Sequence, residues 1–405
     1  MKKVDVSNQP QLFSGARELV DCFLEEEAGS SGGSRERGVY PLREFPAERA
    51  RGKKIVLLGE DTPEKRERIA RVTGDGQAFL SKLEWCIRLL EDPRVRISPQ
   101  QVRLDICTLC QLDCVSCYMR RDERQTTGLG YVQPEQFEDF LRREPQIHSL
   151  EISNSGEPFL HPRLHEIMEI AHRHGVTLTC YNGTNFNHVA DQVLEDMVRW
   201  EMPEVTVALD GASQETYAVY RRNGQFDRVI ENIRKLNAIK KAAHSALPRL
   251  TWQFVVMSHN YDDIPRAEEM AKELEMDIAF HDTWSAPERK KLRRMLEERG
   301  VSAKAADAEV AEHKNDFDAY CMELLTHPQI NWDGRLLGCC QIYRSDWGMN
   351  AFETSLTEIM NSPVYRETVL ALLKGEALPY DGVPCFTCRR QPLSPGRREA
   401  MVGLL

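Results

Sequence analysis

From about residue 101 the chain alternates short apolar runs with amphipathic stretches. Runs over 102–106, 149–153, 176–181, 204–209, 250–257 and 277–280 have the length and apolar character of buried strands. Between them apolar residues return every three or four positions, most clearly Phe226, Val229, Ile230, Ile233 and Leu236, which share one face of a helix. Six such strand and helix units in series predict a parallel sheet, open or curled into a partial barrel. The helical stretch 287–315 carries Arg289, Lys290, Lys291, Arg293 and Arg294, which read as the solvated face of a connecting helix rather than as a binding patch.

The first hundred residues follow another pattern. Glycines, serines and scattered prolines over 1–52 predict loop or linker around one short helical segment near 12–24. A strand is expected over 53–58 and helices over 63–71 and 77–90. No motif here names a function, and a packing or lid element is the expected role.

Composition narrows the classes. A chain of 405 residues can hold one large domain and a smaller one. The net charge of −10 argues against nonspecific nucleic-acid binding, which needs a surplus of lysine and arginine, and favours basic over acidic partners. No apolar run reaches membrane-spanning length and the polar start offers no signal-peptide core, so a cytoplasmic protein with no membrane or nucleic-acid partner is expected. Many of its 12 cysteines cluster in metal-ligand spacings, which suits a reducing, low-oxygen compartment better than a disulfide framework.

The chemistry is concentrated in Cys110, Cys114 and Cys117, spaced C-x3-C-x2-C in the loop after the first strand. Three thiolates this close can hold one metal centre and leave a fourth position open, as in an iron–sulfur cluster with one free iron. The alternative is a zinc knuckle, although zinc sites favour C-x2-C pairs separated by a longer gap.

The triplet, followed by Tyr118, resembles the signature of the radical S-adenosylmethionine (SAM) enzymes, and further matches follow in order. After the second strand, Ser155, Gly156, Glu157 and Pro158 are similar to the family's Gly-Gly-Glu-Pro turn, which meets the methionyl amino group. The third strand ends in Asn182 and Gly183, and the fourth in Asp210 with Arg221 beyond it. Both resemble strand ends of the branch containing the molybdenum-cofactor cyclase and the sulfatase-maturating enzymes, where polar groups reach the ribose and an arginine pairs with the SAM carboxylate. The resemblance thus implies a 4Fe–4S cluster on Cys110, Cys114 and Cys117, with SAM on its fourth iron and contacts from Ser155, Gly156, Glu157, Asn182, Asp210 and Arg221. Ser116 and Ala208 depart from the aromatic residue and serine of many members, and Tyr118 is expected to supply the ring instead. Turn formation by Asn182 and Asp210, and a surface ion pair for Arg221, are the alternatives.

Cys321, Cys339, Cys385 and Cys388, with a turn at Gly334, resemble a Twitch or truncated SPASM domain holding an auxiliary 4Fe–4S cluster. Adjacent strand residues point to opposite faces, so only one of Cys339 and Cys340 fits, and the glycine spacing favours Cys339. No cysteine follows Cys388, which excludes the longer seven-cysteine pattern. Four-thiolate zinc is the alternative. Cys22, Cys86, Cys107, Cys180 and Cys340 read as free thiols, and His281, Asp282 and Trp284 as candidate substrate contacts.

The resemblance implies a mixed α/β fold: a partial (β/α)6 TIM-like barrel over 100–286, a helical connector over 287–315, a Twitch/SPASM-like domain over 316–395 and a tail over 396–405, behind an N-terminal extension over 1–99. The expected activity is reductive SAM cleavage and hydrogen abstraction from a substrate C–H bond. A small-molecule oxidation assisted by the auxiliary cluster is favoured, similar to the alcohol-oxidising aminocyclitol dehydrogenase of antibiotic biosynthesis, with a flavodoxin- or ferredoxin-like electron donor. Peptide modification with a leader held by the extension, epimerisation, carbon–carbon bond formation and a noncatalytic iron–sulfur or zinc scaffold are the other readings.

Overall fold

The computed structural model describes residues 82–117, 119, 127–283, 285–299, 323–339 and 345–387, together with the main chain of short strands at 13–14, 22–25, 39–41, 55–58 and 79–80. The chain divides into two compact units. One comprises 101–313 and 327–355, the other 1–100, 314–326 and 356–405.

The larger unit is built on six parallel strands that lie side by side in chain order: β1 (Gln101–Leu104), β2 (Ser149–Glu151), β3 (Thr177–Thr184), β4 (Glu204–Ala208), β5 (Arg249–Val256) and β6 (Asp277–Asp282). All six expected strands are present, displaced by at most a few residues at their ends. Helices α1 (Pro134–Arg143), α2 (Leu164–Arg173), α3 (Asp191–Arg199), α4 (Gln214–Tyr220), α5 (Phe226–Ala242) and α6 (Ile264–Glu273) return the chain between strands, and α7 (Ala286–Glu298) follows β6. This is the parallel sheet that the alternation predicts, in the partial-barrel fold that the resemblance implies. The stripe Phe226, Val229, Ile230, Ile233 and Leu236 on α5 is buried, which removes from water the apolar face that makes this segment helical.

Each strand carries two kinds of face. Val102, Leu104, Leu150 and Leu178 are buried apolar residues, whereas Arg103, Glu151 and Thr179 lie in register across β1, β2 and β3 on the other face. A buried face with an arginine, a glutamate and a threonine is unlike an ordinary hydrophobic barrel core. It gives the sheet a polar interior.

Two further strands extend the sheet beyond β1. β7 (Gln329–Ile330) runs parallel to β1, and β8 (Leu336–Gly338) is antiparallel to β7. Gly334 in the turn between them has φ of +88°, and a Cβ there would collide with the Asn350 side chain. Glycine is required by both backbone and space. The hairpin expected around Gly334 is therefore formed.

The second unit departs from expectation. The helical segment read near 12–24 is replaced, where described, by strands Phe13–Ser14 and Cys22–Glu25. The latter joins Val39–Pro41, Ile55–Leu58 and Phe79–Leu80 in a four-stranded parallel sheet, to which the part read as loop contributes Val39–Pro41 and the strand expected over 53–58 contributes Ile55–Leu58. Strands of two to four residues are too short to show a period, and their hydrogen bonds go to distant partners. The helix expected over 77–90 is Lys82–Glu91, preceded by Phe79–Leu80, and the one over 63–71 lies outside the described residues. A C-terminal helix, Pro363–Lys374, is capped by Ser362 and ended by Gly375 in the left-handed region. Its Arg366 donates to the carbonyls of Leu89, Leu90, Asp92 and Val95 and fastens the helix to Lys82–Glu91 and the turn after it.

Candidate active site at the carboxyl ends of the strands

In a parallel α/β sheet the carboxyl ends of the strands carry the loops that converge on one site. The loop after β1 contains Cys110, Cys114 and Cys117. Cys114 joins Leu112, Tyr220, Val255 and Met257 in a buried apolar cluster, and Cys110 and Cys117 pack against it. The three expected ligands are thus brought to one place, between the loop after β1, the end of α4 and the end of β5. Burial pushes the Cys110 thiol up to about 12, with the Glu157 carboxylate adding to the effect, and also raises Cys114. Cys110 and Cys114 are therefore protonated at neutral pH in the metal-free protein, and a metal must displace those protons to bind.

The loop after β2 is locked onto the cysteine loop at three points. Asp105, at the end of β1 and fully buried, accepts the Ser155 N–H on Oδ1 at 3.1 Å. The Glu157 N–H donates to Leu109 O at 2.8 Å. Between them Gly156 lies against the backbone of Cys107 and Thr108. Pro158 then opens a short 3-10 turn. Glu157 itself is buried, and its Oε2 accepts the Asn185 N–H at 2.7 Å while Oε1 has no hydrogen-bond partner among the described residues. Burial raises its carboxyl to about 7.

The other expected contacts sit on the same rim. Asn182 donates its side-chain amide to Asn154 Oδ1, and its N–H goes to Ser153 Oγ at 3.2 Å. Arg221, at the end of α4, pairs through Nε with the buried Asp210 carboxylate at 2.5 Å and reaches Cys114 Sγ through Nη1 at 3.8 Å. Asp210 Oδ1 also accepts the Val255 N–H at 2.8 Å, so one carboxylate fixes both the arginine and the end of β5. His281 and Asp282 end β6; burial lowers the pKa of His281, and Asp282 is 3.4 Å from Arg289. Tyr118 and Trp284 lie outside the described residues. So do Cys321 and Cys388, while Cys339 and Cys385 are buried in their respective units.

Sequence reasoning missed three residues that organise this rim. Glu151 accepts from Thr179 Oγ1, from the main-chain N–H of Ser153 and Tyr181, and from the Ser153 hydroxyl, which shapes the ends of β2 and β3 together. Asp105 joins the Ser155 turn to β7, since its Oδ2 accepts from Gln329 Nε2 at 2.8 Å. Both are carboxylates inside apolar strand runs, a signal that buried polar work is being done. Asn185, which touches Glu157 and Cys110, follows β3 without any pattern to mark it.

The donor set fits a cysteine-held cluster with a bound sulfonium amino acid. The three thiols supply the cluster side. On the other side stand an orphaned, buried glutamate oxygen, a natural seat for an ammonium group, and a glycine turn too tight for any side chain. Among the described residues no group of three His, Cys, Asp or Glu side chains is arranged around a single ion.

A parallel sheet with a thiol triplet and a glycine–glutamate turn at its carboxyl edge defines a class of barrel enzymes built around an iron–sulfur cluster. Residues 104–274 match the family model of the radical SAM superfamily, and residues 321–389 match that of the SPASM iron–sulfur cluster-binding domain. The chain thus carries a radical SAM domain and a SPASM domain, the pairing of a radical SAM enzyme of the SPASM/Twitch group, and the two domains bring a SAM-binding 4Fe–4S cluster, an auxiliary cluster and SAM as cofactors.

Among curated relatives, the chain is 27% identical over 179 residues to a probable GTP 3',8-cyclase of Methanocaldococcus jannaschii, covering 43% of this chain and 56% of that protein. It is 28% identical over 129 residues to the mycofactocin maturase MftC of Mycobacterium tuberculosis, covering 32% of each. The chain spans about half the length, or less, of these curated relatives. Streptococcus suis SuiB shares the fold: its SAM-bound structure matches with a TM-score of 0.52 at 15% identity over 84% of this chain and 79% of that one, and its complex with the precursor peptide SuiA with 0.53 at 14% over 82% and 87%. No helix among the described residues is long and apolar enough to cross a membrane.

Proposed function

We propose that Cys110, Cys114 and Cys117 hold the SAM-binding cluster and that the enzyme oxidises a small molecule after taking hydrogen from one of its carbons. The observation that carries this reading is the unpaired, buried Glu157 Oε1 beside the thiol triplet. When bound, the reduced cluster and SAM supply a 5'-deoxyadenosyl radical able to attack an unactivated C–H bond. The chain's own residues bind and orient. Glu157 takes the SAM amino group, Ser155 and Gly156 offer main chain at close range, and Arg221, held by Asp210, directs the rest of its guanidinium at the SAM carboxylate. Asn182 faces the ribose side. His281 and Asp282, at the end of β6, line the approach of substrate.

Cys321, Cys339, Cys385 and Cys388 are the proposed ligands of the auxiliary cluster. Four thiolates leave no iron open for substrate, so its role is to accept an electron from the substrate radical in a net two-electron oxidation. A flavodoxin- or ferredoxin-like protein is the proposed source of the electron that starts each turnover.

A second reading, peptide modification, is favoured by the similarity to the maturase MftC and by the fold shared with SuiB, whose structure with a precursor peptide is known. Anaerobic reconstitution with iron and sulfide counting and a SAM-cleavage assay tests the main proposal in wild type and in a Cys110, Cys114 and Cys117 triple alanine variant. About eight irons per chain are expected for two cubane clusters, falling to about four in the variant with loss of cleavage. Zinc without sulfide rejects the reading. Hydrogen transfer into 5'-deoxyadenosine from a small molecule, against transfer from a candidate peptide, separates the two substrate classes.

A further inference from the structure

Each thiol of the triplet receives at least one N–H donor, and Cys110 takes a main-chain one from Leu112 as well. Asn185 Nδ2 lies 3.6 Å from Cys110 Sγ, Arg221 Nη1 3.8 Å from Cys114 Sγ, and the Met119 N–H 3.4 Å from Cys117 Sγ. These three donors differ in kind. Met119 acts through main chain, and Arg221 is tied to Asp210, but Asn185 is a neutral side chain whose place is fixed from several directions. Its Oδ1 accepts from Gln111 Nε2 at 2.8 Å and from the Asn187 N–H at 3.0 Å. With the oxygen committed to two donors, the amide has one sensible orientation, and Nδ2 faces the sulfur and Gln111 Oε1 at 3.3 Å. Its main-chain N–H is bonded to Glu157 Oε2 at 2.7 Å. Asn185 is buried, so water does not compete for these bonds.

We propose that Asn185 sets the reduction potential of the SAM-binding cluster through an N–H···S bond to Cys110, with its main chain anchored to Glu157 so that the SAM turn and the cluster are held in one frame. This rests on the reading of Cys110 as a ligand. Reduction adds an electron whose charge is shared by the cluster sulfurs, so a donor aimed at one of them stabilises the reduced form more than the oxidised form and raises the potential. In a buried site the effect is strengthened by the low local dielectric. Asn185 is therefore a positioning and tuning residue, separate from the groups that touch SAM.

The test is an EPR-monitored redox titration of the reconstituted full chain, with and without SAM. Asn185→Asp keeps the acceptor for Gln111 and Asn187 but puts a carboxylate oxygen in place of the donor. Asn185→Leu removes both. At the potential where half of the wild-type cluster is reduced, the leucine variant is expected to be severalfold less reduced and the aspartate variant less again, while iron and sulfide contents and the SAM-induced change of the EPR signal persist. Equal midpoints for wild type and both variants overturn the proposal and leave the enzyme reading intact. If either variant fails to load iron, Asn185→Ser and Gln111→Leu, which respectively shorten and release the amide, are titrated in the same way, and a wild-type midpoint in both is the overturning result. A wild type that assembles no cluster, or whose signal ignores SAM, removes the parent reading and this one together.

Discussion

Gly156 and Cys107 meet backbone to backbone: a Cβ on Gly156 would lie 2.4 Å from the carbonyl oxygen of Cys107. At φ of +73° Gly156 also holds a conformation that costs a side-chain-bearing residue about 1–2 kcal/mol. Gly156→Ala must therefore push the turn away from the cysteine loop. The expected outcome is at least a tenfold loss of SAM affinity, about 1.4 kcal/mol, with cluster iron retained. Titration of the reconstituted protein with SAM, followed by EPR, checks it.

Asp105 gives a pH signature in the metal-free protein. Burial raises its carboxyl from the usual 3.8 to about 7. Between those values the folded state keeps a proton that the unfolded state has lost, so stability falls as pH rises from about 4 to about 7, then levels off. The penalty at neutral pH is on the order of 4 kcal/mol at about 1.4 kcal/mol per pKa unit. Asp105→Asn keeps the acceptor for the Ser155 N–H and offers a donor to the orphaned Oε1 of Gln329 once that amide turns over. Thermal unfolding should find the variant more stable than wild type at pH 8 and the gap closing toward pH 4. A wild type that is the more stable at pH 8 contradicts this.

Arg221→Ala should be costly even before any cofactor binds. The Asp210 carboxylate is fully buried, and Arg221 is the cation beside it at 2.5 Å. Removing one partner of a buried pair leaves an uncompensated charge and costs about 3–5 kcal/mol. Urea unfolding of the metal-free protein measures this, with Arg221→Lys expected to recover part of the loss.

The thiols should separate by accessibility. Cys107 and Cys180 are fully buried, and burial pushes Cys107 up to about 11 and Cys180 well above the ordinary value of 9.0. Cys117 is partly exposed. In native metal-free protein, maleimide labelling followed by peptide mass spectrometry should modify Cys117 early and leave Cys107 and Cys180 unmodified until unfolding.

The barrel was legible because its elements are local. A helix such as α5 writes its period into Phe226, Val229, Ile230, Ile233 and Leu236, and a buried strand writes a dense apolar run. Of the N-terminal sheet only Ile55–Leu58, expected over 53–58, was legible; Cys22–Glu25 and Val39–Pro41 are too short to carry a period and exist through pairing with partners far along the chain. The site divides in the same way. Cys110, Cys114 and Cys117 and the Ser155–Pro158 turn announce themselves by spacing, whereas Asp105, Glu151 and Asn185 act across the sheet on loops remote in sequence.

The sequence by itself determined the class of chemistry: a thiol triplet, a glycine–glutamate turn and alternating strands and helices are short-range patterns, fixed by residue type and interval. Only the tertiary structure decided how those pieces are aligned, which glutamate oxygen is left unpaired, which amide faces Cys110 and which carboxylate holds Arg221. Those are contacts between segments up to more than a hundred residues apart, and burial, which sets their strength, is a property of the packed fold.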